Sequence, residues 1–172
     1  MNLTTNRLIL RPLSVADSEA VFAVMSDDEA MRFWDWPAFR DHTTVAEIVA
    51  GQIADTLEGH AIYWAVALAP GGNAIGFCDL SAIDRHQCRA ELGFLFSRAW
   101  WGNGYAFEAM TAVVDHAFGA LELERLWART HAGNDASRRL LERLGFAHEG
   151  TLKGHVVREG ARRDCELYGR LR

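Results

Sequence analysis

The chain has 172 residues, 49% of them apolar and 24% charged. That size and balance fit one folded domain over residues 1–172 and exclude a disordered, collagenous or disulfide-scaffold chain. The net charge is −5, unevenly spread. Residues 1–97 carry 6 Lys and Arg against 13 Asp and Glu, and residues 98–172 carry 12 against 10. A duplex binder needs a strong basic face, so nucleic acid is not an expected partner. The split fits a cation meeting the first half and an anion the second, and solvated faces also vary in this way. No apolar run reaches the ~18–20 residues of a membrane span. The opening MNLTTNRLILRPL has no signal-peptide pattern. Cys78, Cys88 and Cys165 are odd in number and form no C-x-x-C. They read as reduced thiols of a cytoplasmic protein.

In chain order, Asn6 to Arg11 reads as a short strand stopped by Pro12, and Asp17 to Met25 has helical spacing. Thr44 to Leu57 is a second helix, with Val45, Ile48, Val49, Ile53 and Leu57 on one face. Ile62–Leu68 and Ala74–Ile83 form a hairpin around Pro70-Gly71-Gly72-Asn73. Arg89 to Phe96 alternates, with Ala90, Leu92, Phe94 and Phe96 on one side and Glu91, Gly93 and Leu95 on the other. Ala106, Ala109, Met110, Val113, Ala117 and Leu121 mark a long helix. Arg125 to His131 is a strand. Asn134 or Asp135 caps a short helix that Gly145 ends. Phe146–Val157 and Arg163–Leu171 form a last pair of strands around Glu159-Gly160. The order predicts a mixed α/β or α+β domain with one central sheet.

The most informative segment is Trp100-Trp101-Gly102-Asn103-Gly104-Tyr105-Ala106, between a strand and the long helix. Two glycines leave backbone N–H groups unobstructed, and a helix start offers unpaired donors with partial positive charge. Together they suit a phosphate or pyrophosphate. A tight loop that simply needs glycine fits the same residues. No Lys follows, so this is not a P-loop. A dinucleotide fingerprint needs a small residue where Phe107 stands and an acid ending the next strand, which instead ends at Thr130-His131. No histidine pair has metal-ligand spacing, and no metal is expected. No G-x-S-x-G supports a serine hydrolase.

The W-G-x-G-Y-A turn, the following N-x-x-S and the later G-F together resemble the GNAT N-acetyltransferases. The similarity is greatest to the RimJ/RimL type, which acetylates ribosomal-protein N-termini. Thr5 to Pro12 (TNRLILRP), Ala90-Glu91-Leu92-Gly93-Phe94, Asn134 to Ser137, Glu149-Gly150 and Asp164 fit the same branch. The resemblance implies a central, mostly antiparallel twisted sheet of about seven strands and about four helices, with two strands splayed for acyl-CoA. It implies acetyl transfer from acetyl-CoA to an amine by direct attack, with a protein or peptide α-amine preferred. A small polyamine-like or drug amine is the runner-up acceptor, and a non-catalytic acyl-CoA sensor is the reading from another class. A homodimer is a family-level expectation.

On the same resemblance, the N–H groups of Gly102, Asn103, Gly104, Tyr105 and Ala106 hold the pyrophosphate. Trp101 stands where many relatives carry Gln or Arg, so backbone amides do most of the holding. The strand before the turn bulges, and Phe94, Leu95 and Phe96 pair with the pantetheine arm. Asn134 contacts the cofactor arm or serves as a helix cap. Arg138 and Arg139 meet cofactor phosphates or solvent. Glu91 takes the amine's proton directly or through water, or sits in a structural ion pair. The tyrosine acid of many relatives is Leu141 here. Ser137 then hydrogen-bonds the leaving sulfur or its own helix backbone. Acceptor choice falls to the Asp27–Glu58 region, where eight acids outnumber two arginines around Phe33, Trp34, Trp36 and Phe39. An acidic, aromatic mouth suits a cationic amine; a solvated surface over aromatic packing has the same composition.

Overall fold

The computed structural model describes residues 1–172. The strands are β1 (Leu3–Thr4), β2 (Leu8–Pro12), β3 (Ile62–Leu68), β4 (Ala74–Asp84), β5 (Arg89–Phe96), β6 (Arg125–His131), β7 (Ala147–Arg158) and β8 (Ala161–Leu171). The helices are α1 (Ser18–Met25), α2 (His42–Glu58), α3 (Tyr105–Phe118) and α4 (Asp135–Arg143). One sheet runs β1-β2-β3-β4-β5-β6-β8-β7. Only β5 and β6 pair in parallel; every other neighbour is antiparallel. The sheet has eight strands rather than about seven because β1 is a two-residue bridge, too short to leave a pattern.

Period-two alternation sends side chains to two cores. Trp64, Leu80, Ala90, Leu92 and Leu126 pack with Met110 and Val113 of α3 and Leu141 of α4. Ala65, Phe77 and Leu95 pack on the opposite face with Val21 of α1 and Val45 and Val49 of α2. Trp64, Leu80, Met110, Val45 and Val49 are fully buried. Each such large apolar side chain contributes about 1.5–3 kcal/mol. Three helix details differ from the sequence reading. Helix α2 begins at His42, because the Asp41 carboxylate accepts from the Thr43 and Thr44 N–H groups. Leu57, expected on its apolar face, is 84% exposed. Leu121 lies beyond the end of α3 at Phe118.

The feature that positions the site is the parting of β5 from β6. Their register holds only for Arg89↔Arg125, Ala90↔Leu126 and Glu91↔Trp127. Beyond Glu91, β5 stays paired with β4 as far as Phe96, while β6 follows β8 as far as His131. The neighbouring register shift sits on β4, between Ser81 and Asp84, where Ala82 has φ +47°. The bulge expected in the strand before the glycine turn is therefore carried by the strand beside it.

Candidate active site

A groove of about 550 Å³ opens on the α3/α4 side of the parting strands. Phe94, Leu95 and Phe96 form one wall, the Trp100–Gly102 and Gly104–Phe107 backbone another, and the Asn134–Ser137 helix start a third. Gly102 and Gly104 adopt φ +77° and +79°, the left-handed region that glycine enters freely. No acceptor within the protein takes the N–H groups of Gly102, Asn103, Gly104, Tyr105, Ala106 or Phe107. Gly104 is the N-cap of α3 and supplies no side-chain cap. A row of free donors at a helix start suits a pyrophosphate.

A second cavity, of about 300 Å³, lies on the α1/α2 face, over the same parting. It shares Phe33, Trp34, Phe94, Asn134 and Ser137 with the groove, so the two spaces meet at the gap. Its far walls carry Asp35, Tyr63, Asp79, Ser81, Glu91, Arg129 and His131. Glu91 is about three-quarters buried, and its Oε1 lies 4.0 Å from Arg129 Nε. Burial raises its pKa; the Arg129 guanidinium opposes the rise and Asp35 adds to it. Asp79 is pushed up to about 7 by burial, with Glu91 adding repulsion against a Ser81 hydrogen bond. Tyr63 is raised to about 12 by burial and by Asp79, Asp55 and Glu91. Asp35 Oδ2 accepts from Arg129 Nη2 at 3.0 Å, and Asp35 Oδ1 lies 2.9 Å from His131 Nε2. Those bonds outweigh the burial that would raise Asp35 and hold it below the usual carboxylate value. Asp35 accepts only, so His131 Nε2 carries the proton in this contact.

The sequence-predicted residues fall into three groups. Glu91 and Ser137 are both walls of the cavity, and Ser137 also faces the groove. Leu95, Phe96, Trp101, Gly102, Gly104, Tyr105 and Ala106 line the groove, while Phe33, Trp34, Phe94 and Asn134 line both spaces. Asn134 is also the helix cap, with its side chain accepting from Ser137 N–H at 3.2 Å. Asn103, Trp36 and Arg138 stand apart from both walls. Asn103 folds its amide back onto the Trp100 and Trp101 carbonyls. Trp36 is 65% exposed. Arg138 is tied along its own helix to Asp135 and Glu142, both at 3.3 Å. The arginines on the groove wall are Arg32 and Arg143, the latter stacked 4.1 Å from the Phe107 ring centroid.

Sequence reasoning counted Asp35 only among the acids of the Asp27–Glu58 region, and it missed Tyr63, Asp79 and Arg129. Asp79 left a signal: it breaks the apolar face that Phe77 begins, and it stands opposite Gly93. A Cβ at Gly93 would lie 2.4 Å from Asp79 Oδ1, so the glycine makes room for that carboxyl. Tyr63 and Arg129 left none, because exposed strand faces carry the same residue types.

Residues 7–147 match the family model described as Acetyltransferase (GNAT) domain. The chain is 32% identical over 166 residues to an uncharacterised N-acetyltransferase, YoaA, of Bacillus subtilis, covering 96% of this chain and 94% of that one. It is 27% identical over 175 residues to the ribosomal protein uS5 alanine N-acetyltransferase of Escherichia coli, covering 97% and 89%. The fold is similar to that of RimL, a ribosomal-protein α-N-acetyltransferase solved with coenzyme A, at a TM-score of 0.90 and 20% identity over 99% and 98% of the two chains. The family match takes in the parting strands, the glycine turn and the Asn134 cap, and on it the chain belongs to the GNAT acetyltransferase family.

Proposed function

We propose that the protein transfers the acetyl group of acetyl-CoA to a primary amine, with the α-amine of a protein or peptide as preferred acceptor. The observation that carries this reading is the gap beyond Glu91. It joins a groove rich in free N–H donors to a cavity rich in carboxyls. The Gly102–Ala106 amides hold the pyrophosphate, and the Phe94–Phe96 backbone receives the pantetheine arm as an added strand edge. When bound, acetyl-CoA supplies an activated thioester at the gap.

Only a neutral amine attacks, so a proton must leave it first. A lysine-like amine, with pKa about 10.4, is almost wholly protonated near neutrality, whereas an α-amine, at about 7.7–8.0, is partly neutral. Glu91 takes the proton, directly or through water, and its burial makes it a stronger base than an exposed carboxylate. Attack forms the C–N bond and breaks the C–S bond. A backbone N–H of Phe94–Phe96 stabilises the oxyanion, and the Ser137 hydroxyl donates to the departing sulfur. The uS5 alanine acetyltransferase, related along 97% of this chain, supports the α-amine preference.

One observation favours a small cationic amine as a second reading. Asp35, Asp79 and Glu91 face a single guanidinium, Arg129, in a cavity of about 300 Å³. Thiol release from acetyl-CoA separates the two, using peptides beginning Ala, Ser, Thr or Met beside polyamines and aminoglycosides. Turnover with peptides supports the proposal. Turnover only with small amines replaces the acceptor and keeps the chemistry. CoA binding without thiol release from any amine marks a sensor and overturns the enzyme reading.

A further inference from the structure

The opening Thr5–Pro12 segment touches neither the groove nor the cavity, yet Arg7 reaches the glycine turn from behind. Arg7 Nη1 donates to the Asn103 carbonyl at 3.1 Å. Arg7 Nε donates to Glu108 Oε2 at 2.6 Å, and the Arg7 N–H donates to Glu108 Oε1 at 2.9 Å. Thr5 Oγ1 donates to the same Glu108 Oε1 at 2.6 Å. The guanidinium carbon sits 4.5 Å from the Tyr105 ring centroid. Glu108 lies in the first turn of α3, and its own N–H donates to Gly104 O at 3.1 Å.

We infer that Arg7 is a positioning residue for the donor site, locking the Gly102–Tyr105 turn so that its free N–H groups converge on the pyrophosphate of CoA. The inference rests on the acetyl-CoA reading above. The physical need is plain. Glycine gives the turn its left-handed geometry and also the widest range of other conformations. With no acceptor inside the protein, the N–H groups from Gly102 to Phe107 do nothing to hold the turn. The carbonyl side must hold it, and the Asn103 carbonyl is bonded to Arg7. Glu108 carries the restraint into the helix, and Tyr105 is held under the guanidinium. A preorganised cradle binds without first ordering itself, and that saving appears as affinity.

Binding is read from the fluorescence of Trp34, Trp100 and Trp101, which line the groove. The ligands are CoA and pantetheine, which lacks the pyrophosphate. Arg7→Met keeps the apolar stem and removes every side-chain donor. It is expected to raise the Kd for CoA about tenfold and to leave the Kd for pantetheine unchanged. Arg11→Met is the matched control. Arg11, four residues further on and inside β2, forms a two-pronged pair with buried Asp17 at 2.6 and 2.8 Å and does not approach the turn. It is expected to lower the unfolding midpoint and leave CoA binding at the parental value. Arg7→Lys, which reaches one partner at a time, should fall between parent and Arg7→Met. The inference is overturned by parental CoA affinity in Arg7→Met, by an equal loss of pantetheine, or by an equal loss of CoA in Arg11→Met. A parent chain that binds no CoA overturns the acetyl-CoA reading first.

Discussion

Asp79 offers a prediction whose size follows from the structure. Its carboxyl sits on the floor of the cavity, beside Glu91, Tyr63 and Ser81, in the space left by Gly93. In the folded chain its pKa is about 7, against a usual 3.8. The folded state therefore holds the proton more tightly than the unfolded state. The stability this group contributes is whole below pH 3.8, falls as pH rises, and is fully lost above about pH 7. At about 1.4 kcal/mol per pH unit, the ceiling on that loss is about 4 kcal/mol. Asp79 keeps some solvent contact, so about half of that is expected. Roughly half of the fall lies between about pH 5 and about pH 8. Asp79→Asn has no proton to lose. It should gain about 1 kcal/mol on the parent between those two conditions. Denaturant unfolding followed by tryptophan fluorescence measures both chains at both pH values, with the slopes compared to confirm one transition. A parent and variant whose stabilities run parallel from pH 5 to pH 8 refute the reasoning about that carboxyl.

Glu91→Gln should lower kcat/KM by about a hundredfold and flatten the low-pH limb, which rises as Glu91 loses its proton; a pH–rate profile that overlays the parent's removes Glu91 as the base. Gly104→Ala places a Cβ at φ +79°, and thermal unfolding should show a loss of about 1–2 kcal/mol together with weaker CoA binding. An unchanged midpoint and Kd would count against a strained left-handed cap. Arg158 is 7% exposed, and its Nη1 donates to the carbonyls of Met31, Arg32 and Trp34 at 2.6, 2.6 and 3.1 Å. Arg158→Met should therefore lower stability by about 3 kcal/mol by leaving buried carbonyls unpaired. A loss below about 1 kcal/mol would show that water replaces those bonds.

The sequence was readable where backbone demands select residue types. Gly102 and Gly104 are visible because only glycine takes those φ values freely, and Asn134 because a helix start needs a side-chain acceptor. The alternation of Arg89–Phe96 placed Glu91 and Leu95 on one face and Leu92 and Phe96 on the other, and the two cores divide along that line. Side-chain direction off a loop leaves no such trace. Phe33 and Trp34 turn inward and Trp36 outward from one short segment, because Arg158 and the Arg129–Asp35 pair fix the loop from distant strands. Arg138 and Arg143 lie on one helix, five residues apart. Local partners at Asp135 and Glu142 hold the first on the surface, while the Phe107 ring holds the second at the groove. Asp79 was written in the sequence as an acid facing a glycine, but only the β4–β5 register makes them neighbours.

The arrangement of the donor and acceptor spaces is tested most directly by titrating the isotope-labelled protein with CoA and following its backbone amides by NMR. The account predicts that the largest shifts fall on Gly102–Phe107 and on Phe94–Phe96, with smaller ones at Asn134 and Ser137. It predicts little change at Tyr63, Asp79 and Arg129, which are reserved for the amine. Saturable shifts that gather on the Asp79 side of the sheet, with the glycine turn silent, would contradict it.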